Sequence, residues 1–491
     1  MALRSWLPAP ALALLLAAPL YPAAAETPVS PWALPPEGTC QPAGGLRGWP
    51  PGEDAAPLPF ETGDELDIQR LPVLKDFLPA EIWTYRERFF YEGMLLEIGP
   101  CFRDYGPPEF FREATASFGD RTRLLEGGGI EGYVAGLPFA PDAVPAGDPD
   151  AGMKWAWNFE NRYQGGGLRG VFRISDLLGR VGRAEPWLGE IFKIHTAHRA
   201  DRPGDDYRVP AGGTNHWVAG GLMFEPFAAR HYAWRQYRDV EHERSARRSD
   251  DLHAYIPEMR RVRRLNSSQL EGLHMPSFAI GVKGASSGAL AAVGGGPAEV
   301  GGAGSAGTIV TRRSGFEGLE MRPLLYNVKI LGLHDVLAPI NGARPLYPEN
   351  PDQEFGPWGL SFATDRWDLR RALVLEATRR SPASDDRFYR MTLYVDLQTL
   401  HPLYYMSYDP NGNTIDVGMF VGRWSEDRPE YPRWPDDPER PVRVIDSAAA
   451  AFANLNAQGS WRRESWDLVS IPPPDRELKR MLSVSGLTRR R

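Results

Sequence analysis

The stretch from Leu373 to Trp424 most constrains what this chain can fold into. Leu373 to Thr378, Phe388 to Leu397, Leu403 to Tyr408 and Thr414 to Trp424 are short runs rich in β-branched and aromatic residues. Asp409-Pro-Asn-Gly-Asn413 separates the last two and has the composition of a tight hairpin turn. Strands joined this way pair antiparallel. Upstream, Gly170 to Ser175, Trp187 to Thr196 and Ala229 to Val240 have the same texture, and the last places Tyr232, Trp234 and Gln236 on one face. Many short strands in succession imply a mainly β chain with helices (α+β), built on a large curved antiparallel sheet or open half-barrel. One face of such a sheet is expected to be solvated and the other lined by aromatics.

Helices are marked by their punctuation. Pro79 opens a helical stretch through Ile82, Tyr85, Phe89 and Phe90. Pro107-Pro108 starts a second, Glu109 to Ser117, closed by Gly119. Asp148 or Asp150 caps a third over Met153 to Tyr163, before Gly165-Gly166-Gly167.

The N-terminus reads as an export signal. Arg4, the apolar run Trp6 to Leu20, and Ala23-Ala24-Ala25 have the order of a cleaved secretory peptide, residues 1–25. No later run is long and apolar enough to span a bilayer. Residues 26–60 are Pro- and Gly-rich without periodicity and read as an extended arm, ahead of one domain over 61–485. In an exported chain the two cysteines, Cys40 and Cys101, can bridge, closing a loop of about 60 residues at roughly 4 kcal/mol of stabilisation. Two separate buried thiols are the alternative. Residues 281–310 hold ten glycines and read as a flexible insertion. Pro429, Pro432, Pro435, Pro438 and Pro441 recur every third residue, the period of polyproline II. That segment is either a ligand for a partner's groove or a strap packing Tyr431 and Trp434 inward.

Catalytic patterns are weak. The net charge of −7 gives no basic surplus for nucleic acid. Gly284-Ala-Ser-Ser-Gly288 puts Ser286 in a nucleophile position, but inside a low-complexity segment. His195 and His198 are three apart, on or just past a strand, so they point to opposite faces and share no metal. Glu87, Glu92, Glu97 and Asp104 are a carboxylate cluster of the kind that usually forms a solvated face. No metal, cofactor or catalytic residue is expected. Arg260-Arg261 and Arg263-Arg264 form an arginine strand, either an anion-binding edge or a charged edge guarding against aggregation.

Four stretches together resemble the bacterial domain-of-unknown-function family 1329. They are Phe89-Phe-Tyr-Glu-Gly-Met94, Gly132-Tyr-Val-Ala-Gly-Leu-Pro-Phe139, Trp155-Ala-Trp-Asn158 with Arg162-Tyr163, and Phe355-Gly-Pro-Trp-Gly-Leu-Ser-Phe362 with Asp365-Arg366-Trp367. The resemblance runs from about residue 60 to about residue 485. It implies a likeness to the outer-membrane lipoprotein-sorting (Lol-type) carriers, whose open curved sheet is plugged by helices and holds acyl chains. On this reading the chain is a periplasmic, non-catalytic carrier for a lipid or other large apolar ligand. Trp155, Trp157, Phe172 and Phe192 are expected to line its cavity, with Trp234, Tyr404 and Phe420. Arg261 or Arg263 is expected at the rim, holding an anionic head. The alternatives are an accessory partner of an outer-membrane protein or exporter and, more remotely, a carbohydrate-active hydrolase.

Overall fold

Strand pairing organises the chain. The computed structural model describes residues 32–40, 58–145, 147–178, 182–183, 186–257, 259–265, 272–274, 320–348, 350, 353–381, 389–455 and 460–487. The signal segment 1–25, most of the arm 26–60, Ser286 and the whole of 281–310 lie outside the described residues.

The N-terminal part contributes β1 (Glu65–Leu66), β2 (Leu96–Cys101) and a separate hairpin of β3 (Arg123–Leu124) and β4 (Ile130–Glu131). A first meander follows: β5 (Gly167–Leu178), β6 (Gly182–Arg183), β7 (Trp187–His195), β8 (Asn215–Glu225), β9 (Ala233–Asp239), β10 (Asp251–Ile256) and β11 (Arg261–Leu265). The second comprises β12 (Tyr326–Ala338), β13 (Arg366–Arg379), β14 (Arg390–Asp396), β15 (Pro402–Tyr408), β16 (Thr414–Trp424), β17 (Ile445–Asn454) and β18 (Ser460–Val469). Antiparallel pairing of β18 with β5 joins the two into one open 16-stranded sheet, with β11 at one end and β12 flanking β13 near the other. The expected antiparallel sheet has one parallel pair, β2 beside the start of β13, in register at Trp367 and Ile98. The Asp409–Asn413 turn forms as expected: the Asp409 carboxylate accepts from the backbone N–H of Asn411 (2.9 Å) and of Asn413 (2.8 Å).

Four α-helices form among the described residues: α1 (Ala80–Thr84), α2 (Glu109–Phe118), α3 (Ala151–Glu160) and α4 (Asp475–Met481). The start of α2 after Pro108 and its stop at Gly119 follow the punctuation. α3 stops at Glu160 rather than Tyr163, and Asp150 makes no side-chain cap. Asp148 instead takes the Lys154 ammonium at 2.5 Å. Ala229 belongs to a 3-10 turn and Val240 to another, so the expected strand over Ala229–Val240 is the shorter β9.

The expectation of one solvated face is wrong. Alternate residues of the same strands feed two different cores: Leu373 and Leu375 of β13 point to one, Ala372 and Val374 to the other. The front face carries α3. The back face is covered along the second meander by the segment containing Leu71, Leu74, Phe77 and α1, and along β7 and β8 by Leu478 and Leu482 of the C-terminal helical segment. A sheet covered on both sides selects near-continuous apolar strands, and every residue of β15 is buried. Cys40 and Cys101 are bridged, with Cα atoms 5.4 Å apart, which ties the arm to β2.

Candidate functional site

The front face is built by alternation. Phe172 of β5, Trp217 of β8, Trp234 of β9, Phe420 of β16 and Trp466 of β18 all project to it. Onto these packs α3, whose Trp155, Trp157 and Phe159 are buried. Trp32 of the arm meets Trp155 edge-on, with centroids 4.8 Å apart. Burying the three aromatics of α3 contributes roughly 5–9 kcal/mol. The helix is seated closely, with Gly152 against the backbone of Val328 and Lys329 in β12. Of the seven aromatics expected to line a cavity, Trp155, Trp157, Phe172, Trp234 and Phe420 share this face. Phe192 and Tyr404 do not: each is one residue out of phase and lies on the back face. The space between sheet and α3 is occupied by these side chains.

The other end of α3 is polar and held by ions. Arg238 is buried and makes two 3.0 Å bonds to Asp250, with its third nitrogen 3.3 Å from Glu160. Its guanidinium lies over the Trp217 ring at 4.6 Å. Lys193 donates to Glu320 at 2.7 Å and to Gln164 at 3.0 Å. Burial, and then the neighbouring charge of Glu320, push the Glu160 carboxyl up to about 7. Lys193 and Arg162 hold Glu320 below its ordinary value despite burial. Trp157 Nε1 donates to the Gly128 carbonyl (2.8 Å), and Asn158 bonds both ways with the Phe139 backbone (2.9 and 2.8 Å). α3 is therefore apolar against β12 and anchored by charge and hydrogen bonds at its C-terminal end.

Two polar pockets flank that end, sharing Arg162, Tyr163 and Gln164 as walls. One is lined also by Tyr133, His195, His198 and His216. The other is lined also by Leu168, His401, Asp446 and Ser470. His198 and His216 both contact Glu243, at 2.8 and 3.0 Å. This grouping was missed from the sequence, which compared His198 only with His195. Those two have different partners, His195 bonding Gln164 (3.1 Å) and His198, past the end of β7 with a positive φ of 58°, bonding Glu243, yet both line the same pocket rather than opposite faces.

Other expected residues fall as follows. Arg261 and Arg263 are exposed on β11, the terminal strand, opposite Ile256 and Ala254. Directly paired residues share a face, so both arginines lie on the front side at its rim. Arg264 instead pairs with Asp251. Glu87, Glu92, Glu97 and Asp104 are all exposed, and Asp104 pairs with Arg443 at 2.9 Å. The proline segment lies on its own domain: Trp434 is buried, and the Tyr431 hydroxyl accepts from the Ser470 N–H at 2.8 Å. No helix among the described residues is long and apolar enough to cross a membrane.

The family model described as Protein of unknown function (DUF1329) matches residues 86–277 and 308–435. Among solved structures, the chain is similar to a domain provisionally described as an outer membrane lipoprotein-sorting protein domain, from Vibrio parahaemolyticus. Identity is 13%, over 69% of this chain and 99% of that one, with a TM-score of 0.36. A DUF1329 family protein from Desulfovibrio piger is 12% identical over 66% of this chain and 92% of that one, with a TM-score of 0.36. A LolA superfamily protein from Nitrosomonas europaea is 11% identical over 65% and 92%, with a TM-score of 0.28. No curated protein matches the chain.

Proposed function

We propose, for a chain that belongs to the family described as Protein of unknown function (DUF1329), a non-catalytic role as a periplasmic carrier of a lipid or similar apolar ligand. The observation that carries the reading is the aromatic front face covered by the short helix α3, with Trp32, Phe139 and Val144 beside it, rather than by a second sheet. The ligand takes the place of α3. Burying a chain of about ten methylenes contributes roughly 8 kcal/mol, close to what the three aromatics of α3 contribute in the same place. Exchange between plug and ligand is then near balance, as a carrier that must also release requires. The ion network at the C-terminal end of α3 retains the helix while its apolar end swings away.

The signal-like N-terminal sequence and the Cys40–Cys101 bridge support the compartment. Cleavage near Ala25 is expected, and N-terminal sequencing of protein from the envelope fraction reads it directly; an intact Met1 excludes it. The carrier reading is tested by lipid extraction from the purified protein and by titrating delipidated protein with fluorescent fatty acids. Micromolar binding supports it. No co-purified lipid together with no titratable binding rules it out.

A second reading, an accessory partner of an outer-membrane protein or exporter, has one observation in its favour. Phe224, near the end of β8, is 38% exposed, and Phe227, in the 3-10 turn that follows, is 86% exposed. Phe227→Ser abolishing a cross-link to an envelope protein, with lipid binding absent, selects this reading.

A further inference from the structure

Beyond any carrier role, a cluster outside the apolar face has the chemistry of a metal centre. His198, His216 and Glu243 each offer one ligand atom, and the three atoms lie within 4.8 Å of one another. His216 and Glu243 are buried and His198 is nearly so. His198 leaves the sheet at the end of β7, His216 comes from β8, and Glu243 from the 3-10 turn after β9. Three elements that are distant in sequence therefore converge.

The hydrogen bonds of the cluster close in one of two ways, with a second proton on His198 or with a metal cation between the three ligand atoms. His198 Nδ1 is 2.9 Å from the Val134 carbonyl, which can only accept, so the proton is on Nδ1. In the neutral ring, Nε2 then aims a lone pair at Glu243 Oε1, 2.8 Å away. His216 Nδ1 is 3.0 Å from the same oxygen, and its Nε2 has no hydrogen-bond partner among the described residues. Two atoms bound to one zinc at 2.0–2.1 Å lie about 3.3 Å apart in a tetrahedral site, so the nitrogen–oxygen spacings need to open by only a few tenths of an ångström.

The surroundings are those that orient metal ligands. The Val134 carbonyl fixes the His198 tautomer, as outer partners of metal-bound histidines do. Tyr133 stacks on the His198 ring at 4.0 Å, and His242 meets His216 edge-on at 4.8 Å. The polar pocket lined by Tyr133, His198, His216 and Arg199 leads to the cluster from outside. It leaves a fourth position for water or an anion. Arg199 does not compete for Glu243, because it is held by Asp201 at 2.6 and 2.7 Å.

We infer that His198, His216 and Glu243 bind one divalent first-row transition-metal ion, zinc by the chemistry of two imidazoles and a carboxylate. The test uses the full mature chain without an affinity tag, stripped with chelator and titrated with Zn²⁺ by calorimetry and elemental analysis. One ion per chain is expected, with affinity falling at least about 100-fold in His198→Ala, His216→Ala and Glu243→Gln. His253→Ala, on β10 outside the cluster, should bind as the parent does. X-ray absorption of the wild-type zinc complex guards against variants that fail to fold, and must show imidazole scattering in a nitrogen and oxygen shell. No stoichiometric zinc, binding that survives all three substitutions, or a shell without imidazole overturns the inference and leaves His198–Glu243 as an ion pair.

Discussion

Gly152 of α3 sits so close to Val328 of β12 that a Cβ added to it would lie 2.2 Å from the Val328 carbonyl oxygen. Glycine costs a helix interior about 1 kcal/mol relative to alanine, so its place here is set by that approach. The contact is with backbone, which cannot swing aside. Gly152→Ala is therefore expected to lose roughly 1–3 kcal/mol of stability despite its better helix propensity. If α3 is the plug, the same change loosens its apolar end and speeds uptake of a fluorescent fatty acid. A stabilised variant in urea denaturation contradicts the close seating. Unchanged uptake in a destabilised variant counts against the plug.

The Cys40–Cys101 bridge closes a loop of 61 residues and fixes the arm against β2. Chain entropy puts its removal at roughly 4 kcal/mol. Cys40→Ser with Cys101→Ser should lower the urea midpoint, and dithiothreitol should do the same to the parent. A parent whose midpoint does not respond to reductant, or which carries two free thiols when freshly purified, disagrees with the bridge.

Two buried groups give the protein opposite pH responses. Burial, with Arg162 nearby, pushes the His401 imidazole down to about 3, against about 6.5 in an unfolded chain. Below pH 6.5 the unfolded chain takes the proton first, so stability falls as pH drops toward 3. Glu160 is raised to about 7 by burial and then by Glu320, with Arg238, Lys193 and Arg162 opposing. Its contribution is complete below about pH 4.3 and is lost as pH rises through 7, on the order of 3 kcal/mol in all. His401→Asn should flatten the acid side of a stability–pH curve, and Glu160→Gln the rise in cost between pH 5 and 7. Urea midpoints at one-unit intervals measure both, and a Glu160→Gln curve parallel to the parent's means the carboxyl is not shifted.

The strands were legible because alternation and turn chemistry are local. The Asp409–Asn413 hairpin and the stop at Gly119 needed nothing beyond neighbouring residues. Which face a residue takes was not local. Ile191-Phe192 and Tyr404-Tyr405 are adjacent apolar pairs, and in strands covered on both sides both members are buried. Composition cannot tell front from back there; register does, and a shift of one residue exchanges the faces. Phe192 and Tyr404 were misplaced for that reason. The cluster of His198, His216 and Glu243 left no pattern at all, since its members are 18 and 27 residues apart and meet only through β7–β8–β9 pairing.

Arg261 and Arg263 stand opposite Ile256 and Ala254 on the terminal strand, exposed and on the front side. Leu265, two residues further on, is buried in the front core, so the strand passes from apolar face to solvent within five residues. A ligand whose chain lay along the front face would bring its head to this point, and a guanidinium fork there suits a carboxylate or phosphate. A charged hydrogen bond of that kind contributes roughly 1.5–3 kcal/mol when desolvated and less at an exposed rim. Arg261→Ala with Arg263→Ala is therefore expected to weaken anionic fatty acids about 3- to 10-fold and leave a neutral alcohol of equal chain length unchanged. Raising the salt should reproduce the loss in the parent and have little effect on the double variant. Equal losses for acid and alcohol would place the arginines away from the ligand head, and their role would then be that of a charged edge shielding β11 from other strands.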